Sequence, residues 1–302
     1  MIHQYSDNLC KILICPFCDA SLASITNEGA VCEGCHAIYR YSKSGPLDLR
    51  LNKPKIYQYN FHIDNQASRE ANLTQFNLLE IPSSPEVDYS DIPIPSHLSK
   101  QIVSHFPKAK SKDSLALDLG CGSTIHRNIC EHAGFEYVGL DYDSPRAAIL
   151  GDAHSLPFKD NSFEFVLSIA VLEHIQFPFV MTKEVHRVLK PKGIFIGTVA
   201  FLEPFHGNSF YHHTHLGTFT SLKASGFKIL HIAPNEKWPV LIAQANMGLF
   251  PRMPRLISSS LVLPIQALHV LWWKIGSLFS RKINDHNRVL KTSGAFIYIA
   301  TK

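Results

Sequence analysis

From Leu115 onward the chain alternates short apolar runs with stretches of helical periodicity, and this alternation narrows the fold more than any other feature. LALDLG, YVGLD, FEFVLSIA, GIFIGTVAF, FKILHIA and AFIYIATK are apolar runs bounded by turn formers, the pattern of buried strands. FVMTKEVHRVLK before Pro191 and LGTFTSLKAS before Gly226 carry helical spacing between them. Strands that alternate with helices pair mainly in parallel, because a parallel connection needs a crossover long enough to return over the sheet. The expected fold is α/β, a doubly wound sheet with helices on both faces.

The run LALDLGCGST leads straight into Gly120 and Gly122, with Asp118 two residues before the first glycine. Glycines there let the main chain turn sharply and approach a ligand that a Cβ would block. The next strand, EYVGLD, ends in Asp141, nineteen residues beyond Gly122. A carboxylate at that place can accept both hydroxyls of a ribose. Open α/β sheets bind ligands at the carboxyl ends of their strands, where the strand order reverses. A glycine-rich turn beside a surface aspartate fits the same residues, so the loop alone does not decide.

The following segment does. GDAHSLPFKDNSFEFVLSIAVLEHI, followed by EVHRVLKPKG, resembles the class I S-adenosylmethionine-dependent methyltransferases, in the broad group that includes the quinone-biosynthesis C-methyltransferases. The resemblance covers about residues 115–227 and implies a Rossmann-like sheet of seven strands with the last one, AFIYIATK, antiparallel. It also implies S-adenosylmethionine as cofactor. Asp118, Gly120, Cys121 and Gly122 would meet its amino-acid part and Asp141 its ribose. Asp152 and Ala153 would hold the adenine, and Ser168 and Ile169 would lie beside the sulfonium. Thr124 stands where the family usually has a third glycine. Only ten residues separate Asp141 from Asp152, so the helix that normally follows the second strand should shrink to a turn.

Methyl transfer asks for alignment of nucleophile, methyl carbon and sulfur, and for a general base only where the acceptor must lose a proton. The candidates are His174 in VLEHI and the histidines of EPFHGNSFYHHTH, of which His206 and His213 head the set with His212, His215 and Tyr211 beside them. That second run could equally bind a metal or form a polar pocket rim. Glu173 is expected to be a structural hydrogen-bonding group.

Near the N-terminus, CPFC at Cys15 and Cys18 and CEGC at Cys32 and Cys35 are thirteen residues apart. Two such pairs suit tetrahedral zinc, each giving two thiolates from one tight turn. So small a segment would draw much of its folding energy from the metal. It resembles the small zinc-ribbon proteins that activate methyltransferases. His36 is a substitute ligand in reserve, and Cys10, Cys121 and Cys130 look like ordinary thiols. Residues 1–55 hold six basic and five acidic groups, a poor match for phosphate, so nucleic acid is not the expected partner. The ribbon is read as a packing or partner-docking module.

The three parts expected are a ribbon over 1–50, a linker with a short helical segment over 51–113, and the methyltransferase-like domain over 114–302. A proline-broken stretch with helical spacing near residues 96–105 supplies that helix. Residues 236–292 interrupt the last domain before its final strand, too long for an ordinary connection. Within 241–292 seven bases face one acid, and LVLPIQALHVLWWKIGSLFS reads as a helix capped by Ser260 with Pro264 in its first turn. Gln266, His269 and Lys274 argue against a span, which leaves a packed helical pair, or an interfacial helix in peripheral contact with an anionic membrane. No secretory signal is read in MIHQYSDNLCKILICPFCD, and the expected location is cytoplasmic, with a membrane-peripheral position open through the insertion. The acceptor expected is a small or amphipathic metabolite, lipid-linked, glycan or quinone-like. The rivals are a guanine-specific ribosomal RNA methyltransferase, since some carry a zinc ribbon before this domain, and a catalytically idle scaffold.

Overall fold

The computed structural model describes residues 5–23, 25–61 and 78–302. Part of the expected linker, residues 62–77, and the first four residues of the stretch read for a signal lie outside them. The N-terminal segment contributes α1 (Asp7–Ile12), the two-stranded pair β1 (Ala30–Val31) and β2 (Ile38–Tyr39), and β3 (Leu47–Asp48). After α2 (Lys100–Val103) come β4 (Leu115–Leu119), α3 (Arg127–His132), β5 (Glu136–Asp141), β6 (Ile149–Leu150) and β7 (Phe163–Ile169). Then follow α4 (Pro178–Val188), β8 (Leu189–Ala200), α5 (His215–Ala224) and β9 (Lys228–Pro234). The insertion holds α6 (Val240–Gln244), α7 (Arg255–Ser277) and α8 (Asp285–Lys291), and β10 (Ala295–Thr301) closes the chain.

Eight strands form one sheet in the order β3-β6-β5-β4-β7-β8-β10-β9. The strands from β3 to β8 pair in parallel, and β10 runs antiparallel to both β8 and β9. This is the expected α/β, doubly wound arrangement, with one strand more than the seven expected. The extra one is β3, the exit of the cysteine-rich segment, which pairs Leu47 with Ile149 and Asp48 with Leu150. The ribbon is thereby stitched to the sheet edge, and Leu9, Leu13, Tyr39, Leu47 and Leu49 share a core with Leu117, Leu140 and Phe158.

Side chains alternate along the strands and sort into two layers. Leu115, Leu117 and Leu119 face the ribbon, α4 and α5, whereas Ala116 faces α2 and α3, where Ile102, Ile129 and Cys130 lie. The connection from β5 to β6, residues 142–148, is built of bends and turns without helix. Such a short return suffices because β6 meets β5 only at Leu140 and Asp141, the last two residues of that strand.

Two helices differ from expectation. The one near residues 96–105 is reduced to α2, four residues capped by the Ser99 side chain. The long one starts at Arg255 behind Pro254, so Ser260 does not cap it and Pro264 lies inside it. Arg255 and Leu256 are exposed there, and the Ser260 hydroxyl donates back to the Ile257 carbonyl instead.

At the centre of the sheet Gly197 lies opposite Tyr298, whose ring covers it. A Cβ on Gly197 would stand 2.2 Å from the Tyr298 hydroxyl oxygen and 2.4 Å from the Ser168 carbonyl. Neither the fully buried ring nor the strand can yield cheaply. Gly197→Ala is expected to destabilise the protein by about 3 kcal/mol, the upper range for overpacking a core. Urea unfolding followed by circular dichroism measures this, and an unchanged midpoint would contradict it.

Candidate functional site

The strand order reverses at β4, between β5 and β7, and the loop after β4 sits in that crevice. Gly120 (φ +77°) turns in the left-handed region, and a Cβ on it would run into Val171 at 2.4 Å. Gly122 (φ +48°) also needs the left-handed region, yet a Cβ there would meet nothing within 4 Å. The first glycine is demanded by packing and the second leaves open space above the main chain. Thr124 takes φ +58°, so it makes the turn that a third glycine would have made, at a cost of roughly 1–2 kcal/mol for a side chain in that region.

Asp141 fastens the loop from the neighbouring strand. Its Oδ2 accepts from the Gly122 amide at 2.9 Å, and its Oδ1 from the Asp143 and Ser144 amides, each at 3.1 Å. The Ser144 hydroxyl returns a bond to the Gly122 carbonyl. Asp118 behaves differently from expectation. By strand alternation it faces the α2–α3 layer, where the Tyr137 hydroxyl donates to it at 2.7 Å and His126 Nδ1 lies 3.2 Å away. Asp118 is buried and stays out of the cavity lining; His126 lines the cavity, with an Nε2 that has no hydrogen-bond partner among the described residues.

At the other end of the crevice, His154 binds Asp152 Oδ1 through its amide (2.9 Å) and Nδ1 (2.7 Å), while His154 Nε2 accepts from the Phe177 amide at 3.1 Å. In this arrangement Nδ1 is the donor and Nε2 the acceptor. Burial pushes the Asp152 carboxyl up, but the bonds from His154 prevail and hold it below its ordinary value. Asp152 Oδ2 is left without a partner among the described residues, and Ala153 is buried beside it.

A cavity of about 500 Å³ extends from the glycine loop to the helical insertion. Cys121, Ile169, Ala170 and Thr198 line its sheet side, and Trp238, Asn246, Met247 and Arg255 its far side. Glu173, His174, Glu203 and His206 occupy the middle. Ser168 is fully buried behind Ile169 and outside the lining.

Glu173 departs from its expected structural role. It is 0% exposed and neither carboxylate oxygen has a well-formed hydrogen bond. What is structural is its main-chain carbonyl, which accepts from the Phe210 and Tyr211 amides and so anchors the histidine-rich loop. Burial raises the Glu173 carboxyl to about 8, opposed in part by main-chain amides and reinforced by the nearby Glu203. Glu203 is itself raised by burial, against the Trp238 Nε1–H that donates to it. The His174 and His206 rings stand 5.2 Å apart, edge to face, and burial, then the charge of His206, lowers the His174 pKa. One donor atom from each of Glu173, His174 and His206 falls within a 4.8 Å cluster, close enough to share a cation.

His213 is not part of this group. It is buried below the loop with its Nε2 3.4 Å from the Leu172 carbonyl, and it lies outside the cavity lining. His212 and Tyr211 are exposed, and His215 packs on Phe296. His126, Glu203, Trp238 and Asn246 were not singled out from the sequence for the cavity. Only Glu203, in FLEPFHG beside His206, carried a local signal that could have found it.

The four ribbon cysteines converge. The sulfur of Cys15 lies 3.7 Å from that of Cys35 and the sulfur of Cys18 lies 3.4 Å from that of Cys32. All four fall within 4.8 Å of one another, close to the edge of about 3.8 Å that a tetrahedral zinc with 2.3 Å bonds imposes. Both turns have the same form: Asp19 and His36, each just past the second cysteine, adopt left-handed φ of 59° and 57°, and their amides bond back to Cys15 and Cys32. Four thiols complete the set, and His36 is not among them.

Residues 117–197 match the family model described as a methyltransferase domain. The chain is 34% identical over 100 residues to the "Arginine-hydroxylase NDUFAF5, mitochondrial" of Danio rerio, a stretch that is 28% of this chain and 30% of that protein. It is also 34% identical over 100 residues to the "Sterol 24-C-methyltransferase erg6" of Schizosaccharomyces pombe, 27% of this chain and 26% of that protein. A solved complex between the Haloferax volcanii Trm112 methyltransferase activator and the putative methyltransferase superposes with a TM-score of 0.46 at 19% identity, over 68% of this chain and 88% of that one. The chain thus spans under a third of the length of the two curated relatives named.

Proposed function

We propose that this chain, whose residues 117–197 carry a methyltransferase domain, uses S-adenosylmethionine to methylate a small or amphipathic metabolite, lipid-linked, glycan or quinone-like, with a zinc ion held by Cys15, Cys18, Cys32 and Cys35. The observation that carries the reading is the crevice itself: open space over Gly122, fastened by Asp141, beside a cavity of the right order of size for the reacting groups. The residues fit the cofactor. In this reading Asp141 would meet the ribose, the Asp152 Oδ2 would accept from the adenine amine, and the His126 Nε2, without a partner among the described residues, would accept from an ammonium group in the place expected of Asp118.

When bound, the cofactor supplies an activated sulfonium methyl. The protein's work is then to align the acceptor and exclude water. Ile169, Ala170 and Trp238 provide the dry wall. His174, kept neutral by its surroundings, is placed to take a proton from an acceptor hydroxyl, with His206 beside it. The relatives are named as acting on arginine and on a sterol, and the chemistry of Glu173 and Glu203 admits a cationic acceptor as readily as a neutral one. A reducing compartment suits four zinc-bound thiolates.

Titration calorimetry with S-adenosylmethionine tests the reading. Asp141→Ala should weaken binding by about tenfold to a hundredfold, the loss of a charged hydrogen-bond partner. Unchanged affinity, or no binding by the parent protein, would sink it and leave the idle scaffold.

A further inference from the structure

The helix α7 is built inside out. In a soluble protein the apolar stripe of a helix faces the core and the polar one faces water. Here Leu256 (88% exposed), Leu268 (66%), Trp272 (73%) and Leu278 (80%) point outward, with Leu261, Ile265 and Leu271 between them. Apart from the buried Val262, the inward face carries polar and small residues. Ser258 is fully buried and donates to Asn246 Oδ1 at 2.7 Å. Gln266 and His269 each have a buried atom facing inward, and Gly276 sits so close to Ile283 that a Cβ would come within 2.9 Å of it. Water is the wrong neighbour for the outer face, an exposed apolar patch of the kind that marks an interaction site.

Length and apolar composition alone would let α7 cross a membrane. Its connections do not. The insertion leaves and re-enters the domain at one point: Pro239 bridges Ser293, the Val240 amide bonds the Thr292 carbonyl at 2.8 Å, and the Gly294 amide bonds the Trp238 carbonyl at 2.7 Å. A single crossing would need a second one to bring the chain back, and the return contains only the seven-residue, charged α8. The helix must lie along a surface.

Charge identifies that surface. Arg252, Arg255, Lys274, Arg281 and Lys282 are exposed on the helix or just beyond its ends, and the one acid between Val240 and Thr292, Asp285, is already paired with Arg288 at 2.7 Å. A second copy of this chain would set the same bases against one another across a two-fold interface. An acidic bilayer offers both an apolar interior and a negative rim.

We propose that the insertion between Val240 and Thr292 is a peripheral membrane anchor, with α7 lying in the interface of an anionic bilayer. Because Asn246, Met247 and Arg255 belong both to this anchor and to the cavity wall, docking would bring the cavity mouth to the lipid surface. That an acceptor enters from there rests on the proposed methyl transfer; the docking does not.

The test is flotation of the full-length, zinc-loaded protein, without cofactor, on phosphatidylcholine vesicles with and without about one-third phosphatidylglycerol. Binding is expected to the acidic vesicles alone and to weaken with salt. The double variant Leu268→Glu, Trp272→Glu should lower it at least about tenfold. Both positions are solvent-facing, so its melting temperature should match the parent's. Failure to float with acidic vesicles overturns the proposal, as does equal binding to both vesicle types. A concentration-dependent dimer in ultracentrifugation, abolished by the same variant, would overturn it in favour of self-association. None of these outcomes depends on methyl transfer, so failure here and failure of the proposed activity are distinguishable.

Discussion

Cys32→Ser, or removal of metal by a strong chelator, will lower the melting temperature of the whole protein by about 10 °C or more, in one transition. Four thiols at 3.4 and 3.7 Å across each pair are tolerable when a divalent cation neutralises them. Structural zinc contributes about 10–16 kcal/mol in small ribbons, comparable with the entire stability of an ordinary domain. The loss cannot stay local, because Leu9, Leu13, Tyr39, Leu47 and Leu49 belong to the same core as Leu117 and Leu140. The edge strand β3 would also unpair from β6. Differential scanning calorimetry decides the matter, and two separate transitions would show the ribbon to be an independent unit.

The same loss should reach the cofactor crevice. The Ile14 amide bonds the Pro157 carbonyl at 3.0 Å, the Lys159 amide bonds the Ile12 carbonyl at 2.8 Å, and the Ser155 hydroxyl bonds the Pro16 carbonyl. These contacts bracket the loop that starts at Asp152 and Ala153. Metal-free protein is therefore expected to bind S-adenosylmethionine more weakly even below its melting point. In physical terms the cysteine-rich segment clamps the loop that follows Asp152.

Much of this was legible in the sequence because strand and helix periods are local. Six of the strands, β10 among them, and the helices α4 and α5 follow from runs of residues that carry their own signal, whereas the antiparallel direction of β10 came only from the family resemblance. The convergence of Cys15, Cys18, Cys32 and Cys35 follows from spacing alone. What was not legible depends on contacts between distant residues. The pairing of β3 with β6 rests on two residues in each strand, too few for any pattern. Asp118 precedes a glycine loop as a cofactor ligand would, yet which way it faces is set by strand alternation and by Tyr137 across the sheet. His213 and His206 sit in one histidine-rich run, and only the bond of His213 to Leu172 separates the buried ring from the one in the cavity. The start of α7 was misplaced because Ser260 has cap chemistry but no helix end to cap.

The affinity of the protein for S-adenosylmethionine will rise with pH up to about 8 and then level off, and Glu173→Gln will abolish the rise. Glu173 lines the cavity without a well-formed hydrogen bond, and burial lifts its carboxyl to about 8. At pH 7 the free protein therefore holds this side chain mainly protonated. A cation bound in the cavity favours the ionised form and lowers this pKa, so binding releases a proton at pH values between the bound-state and free-state pKa. Affinity can then climb by up to about tenfold per pH unit between the pKa of the bound state and that of the free one, and by nothing outside that window. The other groups near Glu173 do not produce this slope. Glu203 is raised too, but it accepts from Trp238 and faces His206; His174 is held neutral; and Tyr298, pushed upward by burial, stays protonated throughout. S-adenosylhomocysteine has the same adenosine and amino-acid parts without the sulfonium charge, so its affinity should be nearly flat over the same range. Calorimetry in buffers of different ionisation heat reads the released proton directly. Equal pH profiles for the two ligands would mean that the positive sulfur does not lie near Glu173, and would count against a sulfonium beside Ile169 in this cavity.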